Sequence, residues 1–531
     1  MKRLWIAILF VGCSEQTEQS QQISLTETPT SIAPTVCGAE DPTNILEVNG
    51  TGLALIDFDN DDDLDLFVVN ASNQPCRLYE NVSESSIVFV DVTDEVGIDV
   101  RRWANGVAVG DVNGDGFDDL YITCYGPNVL LQNIEGTSFV DITTSAGVGD
   151  TGWGTSARFG DLDGDGDLDV YVCNYLEFVP SEPPLRAMYK GQSVLGGPHG
   201  MQPQKDVVYE NKGDGTFQDV TEAWGFTHEP AFALNAAILD FTGDGLQDVF
   251  VGNDSMSNQL YVNTGEKPTR FKDVGIRSGI AANGDGSRQA TMGIAISDVD
   301  GNNRPDLFTT NFSSDTNTLH LNDDSGFFDD RTKRFGLGLV SRSLLGWTCG
   351  FHDFDLDGDE DLLIFNGHVY PEATMGTMDS EREQPMLLLE RVGDRFVQVK
   401  QSGVYRDRAA VFGDLDGDGD TDVIVGERGG NVRVLRNDAE MTHPHFIQLH
   451  GVKGNPHGLG AALHVTFDDG TVVSRWNTDG FGFQSSSSPL QQVIFSDRTI
   501  MKLEVQWANG QQQTVTEFQE HGNIIIPQTI E

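Results

Sequence analysis

Basic residues are scarce. Lysine and arginine number 33 in 531 residues against 82 acids, a formal net charge of −49. That balance excludes a nucleic-acid binder that works by neutralising phosphates, and it disfavours adsorption to an anionic lipid surface. No run reaches the ~18 apolar residues that a membrane-spanning helix needs. There are six cysteines and no Cys-x-x-Cys, so no thiolate zinc site is expected. Also missing are HExxH, GxSxG and a phosphate-binding glycine loop, so no catalytic constellation is present. Hydrophobic residues at 38% together with 60 glycines exclude global disorder.

At the N-terminus Lys2 and Arg3 precede the apolar run Leu4 to Gly12, then Cys13. The segment resembles a bacterial lipoprotein signal, with Phe10 standing where leucine is usual. Residues 1–12 then form the signal peptide, and Cys13 carries the lipid. An ordinary secretory signal is the alternative. Ser14 after the cysteine resembles sorting to the outer membrane. The expected location is the bacterial cell envelope, facing the periplasm or the surface, with membrane contact only through the anchor. Residues 13–36, rich in Ser, Gln, Thr, Glu and Pro, read as a flexible tether. Of the remaining cysteines, Cys37 and Cys76 are expected to pair, while Cys124 and Cys173 lie in apolar strands and read as buried small hydrophobes.

What the chain has in plenty is aspartate at fixed spacing. The pattern Asp, any, Asp or Asn, any, Asp, Gly, any, any, Asp recurs, with variations. It starts at Asp57, Asp111, Asp161, Asp240, Asp298, Asp353 and Asp414, at intervals of 54, 50, 79, 58, 55 and 61 residues. The loops hold 32 of the 82 acids. Each loop follows an apolar stretch and precedes a β-type run such as Leu66–Val69 or Val170–Val172. Two further β-type runs follow in most units. Four short strands per unit make an antiparallel sheet, and seven such sheets in series read as a β-propeller. The expected fold is all-β: a seven-bladed propeller over 37–440, then a small β-sandwich-like domain over 445–526. The seventh unit lacks a clear fourth strand. Asn44–Val48 is expected to supply it and close the ring.

The loop spacing places oxygen ligands at alternate residues of a tight turn, with a last aspartate from the next strand. The candidate ligands are Asp57, Asp59, Asp61 and Asp65; Asp111, Asn113, Asp115 and Asp119; and Asp161, Asp163, Asp165 and Asp169. They continue with Asp240, Thr242, Asp244 and Asp248; Asp298, Asp300, Asn302 and Asp306; Asp353, Asp355, Asp357 and Asp361; and Asp414, Asp416, Asp418 and Asp422. Hard oxygens without nitrogen or sulfur select Ca²⁺, up to seven ions. An EF-hand is excluded, because position twelve is Val68, Ile122, Val172, Val251, Thr309, Ile364 or Val425 rather than glutamate. Acidic turns without an ion are disfavoured by the mutual repulsion of the carboxylates. The loops with Thr242, and with Asn302 beside Arg304, are expected to bind most weakly, and Asp306→Ala to cost less than Asp165→Ala or Asp418→Ala.

These loops resemble the FG-GAP/VCBS repeats of integrin α-subunit propellers. The segment Asn211–Thr221, followed by Trp224 and Gly225, resembles a blade of the cartilage acidic protein family, as does Phe365–Pro371 with its Asn366-Gly-His368. From His445 a different pattern begins. Asn455 to Ala461 resembles the Asn…Gly-x-Gly-Ala segment of the ASPIC/UnbV domain, and Leu503–Gly510 its closing segment, with Ala508 and Asn509 departing. The middle Phe-Gly-Leu-Gly of that domain is reduced to Val493-Ile-Phe495-Ser496. The resemblance implies architecture more than chemistry.

Two functions are open. One is a calcium-stabilised propeller that binds an extracellular protein or glycan, with no nucleic acid partner. The other is a carbohydrate-active or other propeller enzyme with its site near the Leu176–Lys205 loop, which would show a deep pocket of convergent His, Arg and Tyr. His368 is the best single candidate for chemistry, although a hydrogen-bonded turn histidine is the commoner case. Trp153, Trp347 and Arg158 are candidates for a channel lining, with core packing as the commoner outcome. The 79-residue interval leaves an excess at Leu176–Lys205, a long loop that either binds a partner or packs over the propeller face.

Overall fold

A computed structural model of the chain describes residues 23–529 apart from 84–85, 181, 183–185, 228, 324, 372–379, 440–444, 453, 488–497 and 519–521. The signal segment, Cys13 and Val493–Ser496 lie outside the described residues.

The described chain is nearly all β, with two four-residue helices at Thr143–Ala146 and Gly275–Ser278. It builds a propeller of four-stranded antiparallel sheets. The second sheet shows the plan: Ala104–Gly110 innermost, then Asp119–Cys124, Val129–Ile134 and Ser138–Asp141. Innermost strands of successive sheets touch one another, and that of the last, Asp407–Gly413, touches that of the first, Leu53–Ile56.

The core is divided into slabs, one between each pair of adjacent sheets. Ile56 and Phe67 of the first sheet meet Val109 and Ile122 of the second. Val411 and Ile424 of the last meet Leu55 and Val68 of the first. Strands covered on both faces must be apolar on both faces, which is why Asp119–Cys124 is buried at every position. Cys124, Cys173 and Cys349 lie within these slabs as small hydrophobes.

A polar ring joins the sheets as well. The side-chain amide of Asn81 donates to the Leu415 carbonyl of the preceding sheet's loop at 2.9 Å. Asn133 does so to Phe58, Asn211 to Val112, Asn263 to Leu162, Asn322 to Phe241 and Asn437 to Phe354. In the sixth sheet Arg391 fills the place, reaching Val299 O at 2.8 Å.

Three expectations are corrected. The last sheet is completed by Leu25–Thr28, inside the stretch read as tether, which pairs antiparallel with Val432–Asn437. Asn44–Val48 instead holds a 3-10 turn at Ile45–Glu47, because Asn44 caps it by accepting from Leu46 N. Cys37 and Cys76 are separate thiols: Cys37 Sγ lies 3.5 Å from Glu47 O, while Cys76 packs in the slab between the first two sheets.

The Leu176–Lys205 excursion folds back over the propeller. It carries a hairpin of Arg186–Tyr189 and Gln192–Leu195. Leu176 and Leu195 join Trp153, Phe232, Trp347 and the Ile45 turn in one apolar cap across the axis. Tyr189 packs on Phe312 and Tyr370.

Beyond residue 444, a two-stranded parallel sheet of His445–His450 and Gly522–Pro527 and a four-stranded sheet enclose a second core. Trp507 is buried at its centre.

Candidate metal centre

Every aspartate loop joins an innermost strand to its neighbour, so all seven lie on one face of the propeller, opposite the cap. In the third loop the first aspartate organises the turn. Asp161 Oδ1 accepts from Gly164 N (2.8 Å) and Asp165 N (3.1 Å), and Oδ2 from Gly166 N (3.1 Å). Gly166 has φ +96°, the left-handed region where glycine is unstrained. In the first loop Asp62 takes that place at φ +72°.

The ninth aspartate is a staple. Asp169 accepts Leu162 N (3.0 Å) with one oxygen and Asn211 N (2.9 Å) with the other. Asp65, Asp119, Asp248, Asp306, Asp361 and Asp422 repeat this pair of bonds to their own loop and third strand. Burial outweighs those bonds and pushes the Asp65, Asp119 and Asp306 carboxyls up to about 8, and Asp361 up to about 9.

Five loops bring three carboxylates together with one oxygen of each within 4.8 Å: Asp57, Asp59 and Asp61; Asp161, Asp163 and Asp169; Asp298, Asp300 and Asp306; Asp353, Asp355 and Asp357; Asp414, Asp416 and Asp422. Among the described residues the Asp111 and Asp240 loops make no such trio. Their second positions are Asn113, whose amide donates to Asp115 (2.9 Å), and Thr242. The buried oxygens Asp59 Oδ1, Asp416 Oδ1, Asp420 Oδ1 and both of Asp355 have no hydrogen-bond partner. Burial, then the Asp357 and Glu390 charges, raises Asp355 to about 7. Buried carboxylate oxygens without donors are costly, and a cation among them removes the cost. The donor set, all oxygen, fits a hard divalent ion.

Two features escaped the sequence reading. Arg436 pairs with Asp416 (2.6 Å) and Asp418 (3.0 Å) of the seventh loop. Its charge would compete with any ion there, although every candidate ligand position of that loop is aspartate. The second feature is what covers the face of the aspartate loops. His457 lies 2.9 Å from Asp118, Gln506 donates to Asp240 (2.8 Å), Ser474 to Asn303 (2.8 Å), and Arg475 pairs with Glu360 (3.2 Å). The C-terminal domain is therefore seated on the second, fourth, fifth and sixth loops.

Sequence comparison matches residues 57–122, 111–172, 194–251 and 240–309 to the FG-GAP-like repeat, and 451–529 to "ASPIC and UnbV". The chain carries FG-GAP-like repeats and a C-terminal ASPIC and UnbV domain. No curated protein matches it. Similar solved structures include an Agrocybe aegerita lectin that recognises non-reducing terminal N-acetylglucosamine, at 17% identity over 66% of this chain and 80% of that one, TM-score 0.39. They also include BBS1N in its complex with ARL6DN, at 7% identity over 78% of this chain and 98% of that one, TM-score 0.43.

From the ASPIC and UnbV domain the segment Asp479–Ser487 enters the propeller axis. Leu53 N donates to Ser485 Oγ, Val107 N to Gln484 O, Asn235 Nδ2 to Phe481 O, Phe483 N to Thr348 Oγ1, and Phe412 N to Ser487 Oγ. Arg158, 1% exposed, donates to Asp479 (2.7 Å), Ser485 O, Gly482 O, Asn235 and Ala236 O. All its donors are thereby satisfied, as a buried guanidinium requires. Phe483 reaches Trp347 at 4.9 Å and completes the apolar cap from within. Trp153 is core packing in that cap. His368 is buried too. Its Nδ1 accepts from Tyr370 N, so Nε2 carries the proton and meets Ser313 Oγ at 3.0 Å.

Proposed function

We propose that the protein is a Ca²⁺-stabilised propeller of the bacterial envelope that serves as an extracellular binding module for a protein or glycan. The observation that carries the calcium reading is the set of five converging carboxylate trios, three of them with buried oxygens that have no donor. The loops at Asp161 and Asp353 are its strongest sites. The Asp240 and Asp111 loops, with fewer converging carboxylates, are its weakest, in place of the Asp298 loop named beside Asp240 from the sequence, since Asp298, Asp300 and Asp306 converge; Arg436 lowers the affinity of the Asp414 loop. The partner is met at the rim and over the Leu176–Lys205 cover, whose Met188 is 71% exposed and whose Val179 is 51% exposed.

The test is chelation. Removing Ca²⁺ lowers the melting temperature and adding it back restores it, because the ion binds only the folded loops. Asp355→Ala releases one ion, counted by metal analysis. A melting temperature unmoved by chelator refutes the reading.

A further inference from the structure

We propose that the ASPIC and UnbV domain is the propeller's own channel ligand: its Asp479–Ser487 segment permanently occupies the axis where a diffusible ligand would otherwise enter, and so locks the ring.

Three observations carry this. The segment exchanges hydrogen bonds with the innermost strands of six of the seven sheets, so it ties together elements that otherwise touch only their immediate neighbours. Its one charged contact, Arg158 with Asp479, is buried and fully paired, a wall group matched to this segment. The third observation is Gly52. Its backbone does not lie in the left-handed region, so its own conformation does not demand glycine. A Cβ there would sit 1.9 Å from the Gln484 carbonyl oxygen. The propeller wall thus lacks a side chain at the place where the segment passes. With the Leu176–Lys205 cover over one mouth and the domain over the other, recognition of an outside partner is left to the surfaces around them.

The experiment uses the full chain with a protease site placed between Ala439 and His445. After cutting, the two pieces are expected to co-elute and to melt in a single transition. Gly52→Ala blocks the path from the wall side and Phe483→Ala removes the anchor from the segment side. Either variant is expected to separate the cut pieces on a sizing column, or to split the melt into two transitions. Phe483→Ala keeps every residue of the ring and removes only the contact with Trp347, so a folding failure of Gly52→Ala does not decide the matter. The proposal is overturned if the cut wild-type pieces part without denaturant. It is also overturned if the cut Phe483→Ala protein co-elutes and melts as the wild type does.

Discussion

His368 shows how a residue that reads as reactive is put to structural use. Burial, with the Arg408 and Lys190 charges adding to it, lowers its pKa from 6.5 to about 3. The unfolded chain binds a proton at this residue as pH falls below about 6.5, whereas the folded protein does not until about 3. The unfolded state therefore holds more protons across that window, and stability drops on acidification. Between pH 7 and pH 5 this single group destabilises by about 2 kcal/mol. His368→Gln should flatten the change in urea midpoint between pH 7 and pH 5, measured at saturating Ca²⁺. An identical pH slope in the variant would show that His368 is not neutral in the fold. The ninth aspartates teach a related lesson. From sequence, Asp306 looks like the most dispensable ligand. In the structure it is fully buried and accepts Val299 N and Asn322 N, so its loss disrupts the sheet whether or not an ion binds.

At the scale of elements, the loop and the strand after it were legible because ligand chemistry and β-pattern occupy the same twelve residues. Three of the six ring asparagines, Asn81, Asn211 and Asn263, follow Tyr-Glu or Tyr-Val, whereas Asn133, Asn322 and Asn437 follow Leu-Gln, His-Leu and Leu-Arg and carry no shared signal. The ring's meaning needs the neighbouring sheet, which lies 101 residues away for Asn263 and Leu162. Replacing Asn263 by alanine leaves the Leu162 carbonyl unpaired and should cost about 1–3 kcal/mol. Asn263→Asp should cost more, since it sets an oxygen against that oxygen. Chemical denaturation of both variants checks the order, and an aspartate milder than the alanine would remove the amide from the account. The closing strand was illegible for a similar reason. Leu25–Thr28 has no apolar alternation, and its partner strand lies some 400 residues away. The axial segment reads as an ordinary Gly- and Ser-rich loop, because its hydrogen bonds go to the inner strands of the propeller rather than to its own domain.

For the whole molecule, charge and topology set an orientation. The aspartate loops crowd one face, which the ASPIC and UnbV domain covers. The N-terminal strand Leu25–Thr28 lies at the edge of the last sheet, and Ile23 just before it is packed in the core. That leaves residues 14–22 between Cys13 and the propeller, at most about 30 Å when fully extended. An acyl group on Cys13 would therefore hold the propeller close to the lipid, with the outer edge of the last sheet nearest. The net charge of −49, which seven Ca²⁺ ions would offset only in part, resists adsorption of the body to an anionic bilayer. Attachment would then depend on the acyl chains alone. Cys13→Ser should move the protein from the membrane pellet to the soluble fraction at any salt concentration, and mass spectrometry of the native protein should find acyl chains on Cys13. Retention of the Cys13→Ser form in the pellet, or a native protein without acyl groups, would reduce the N-terminus to a secretory signal.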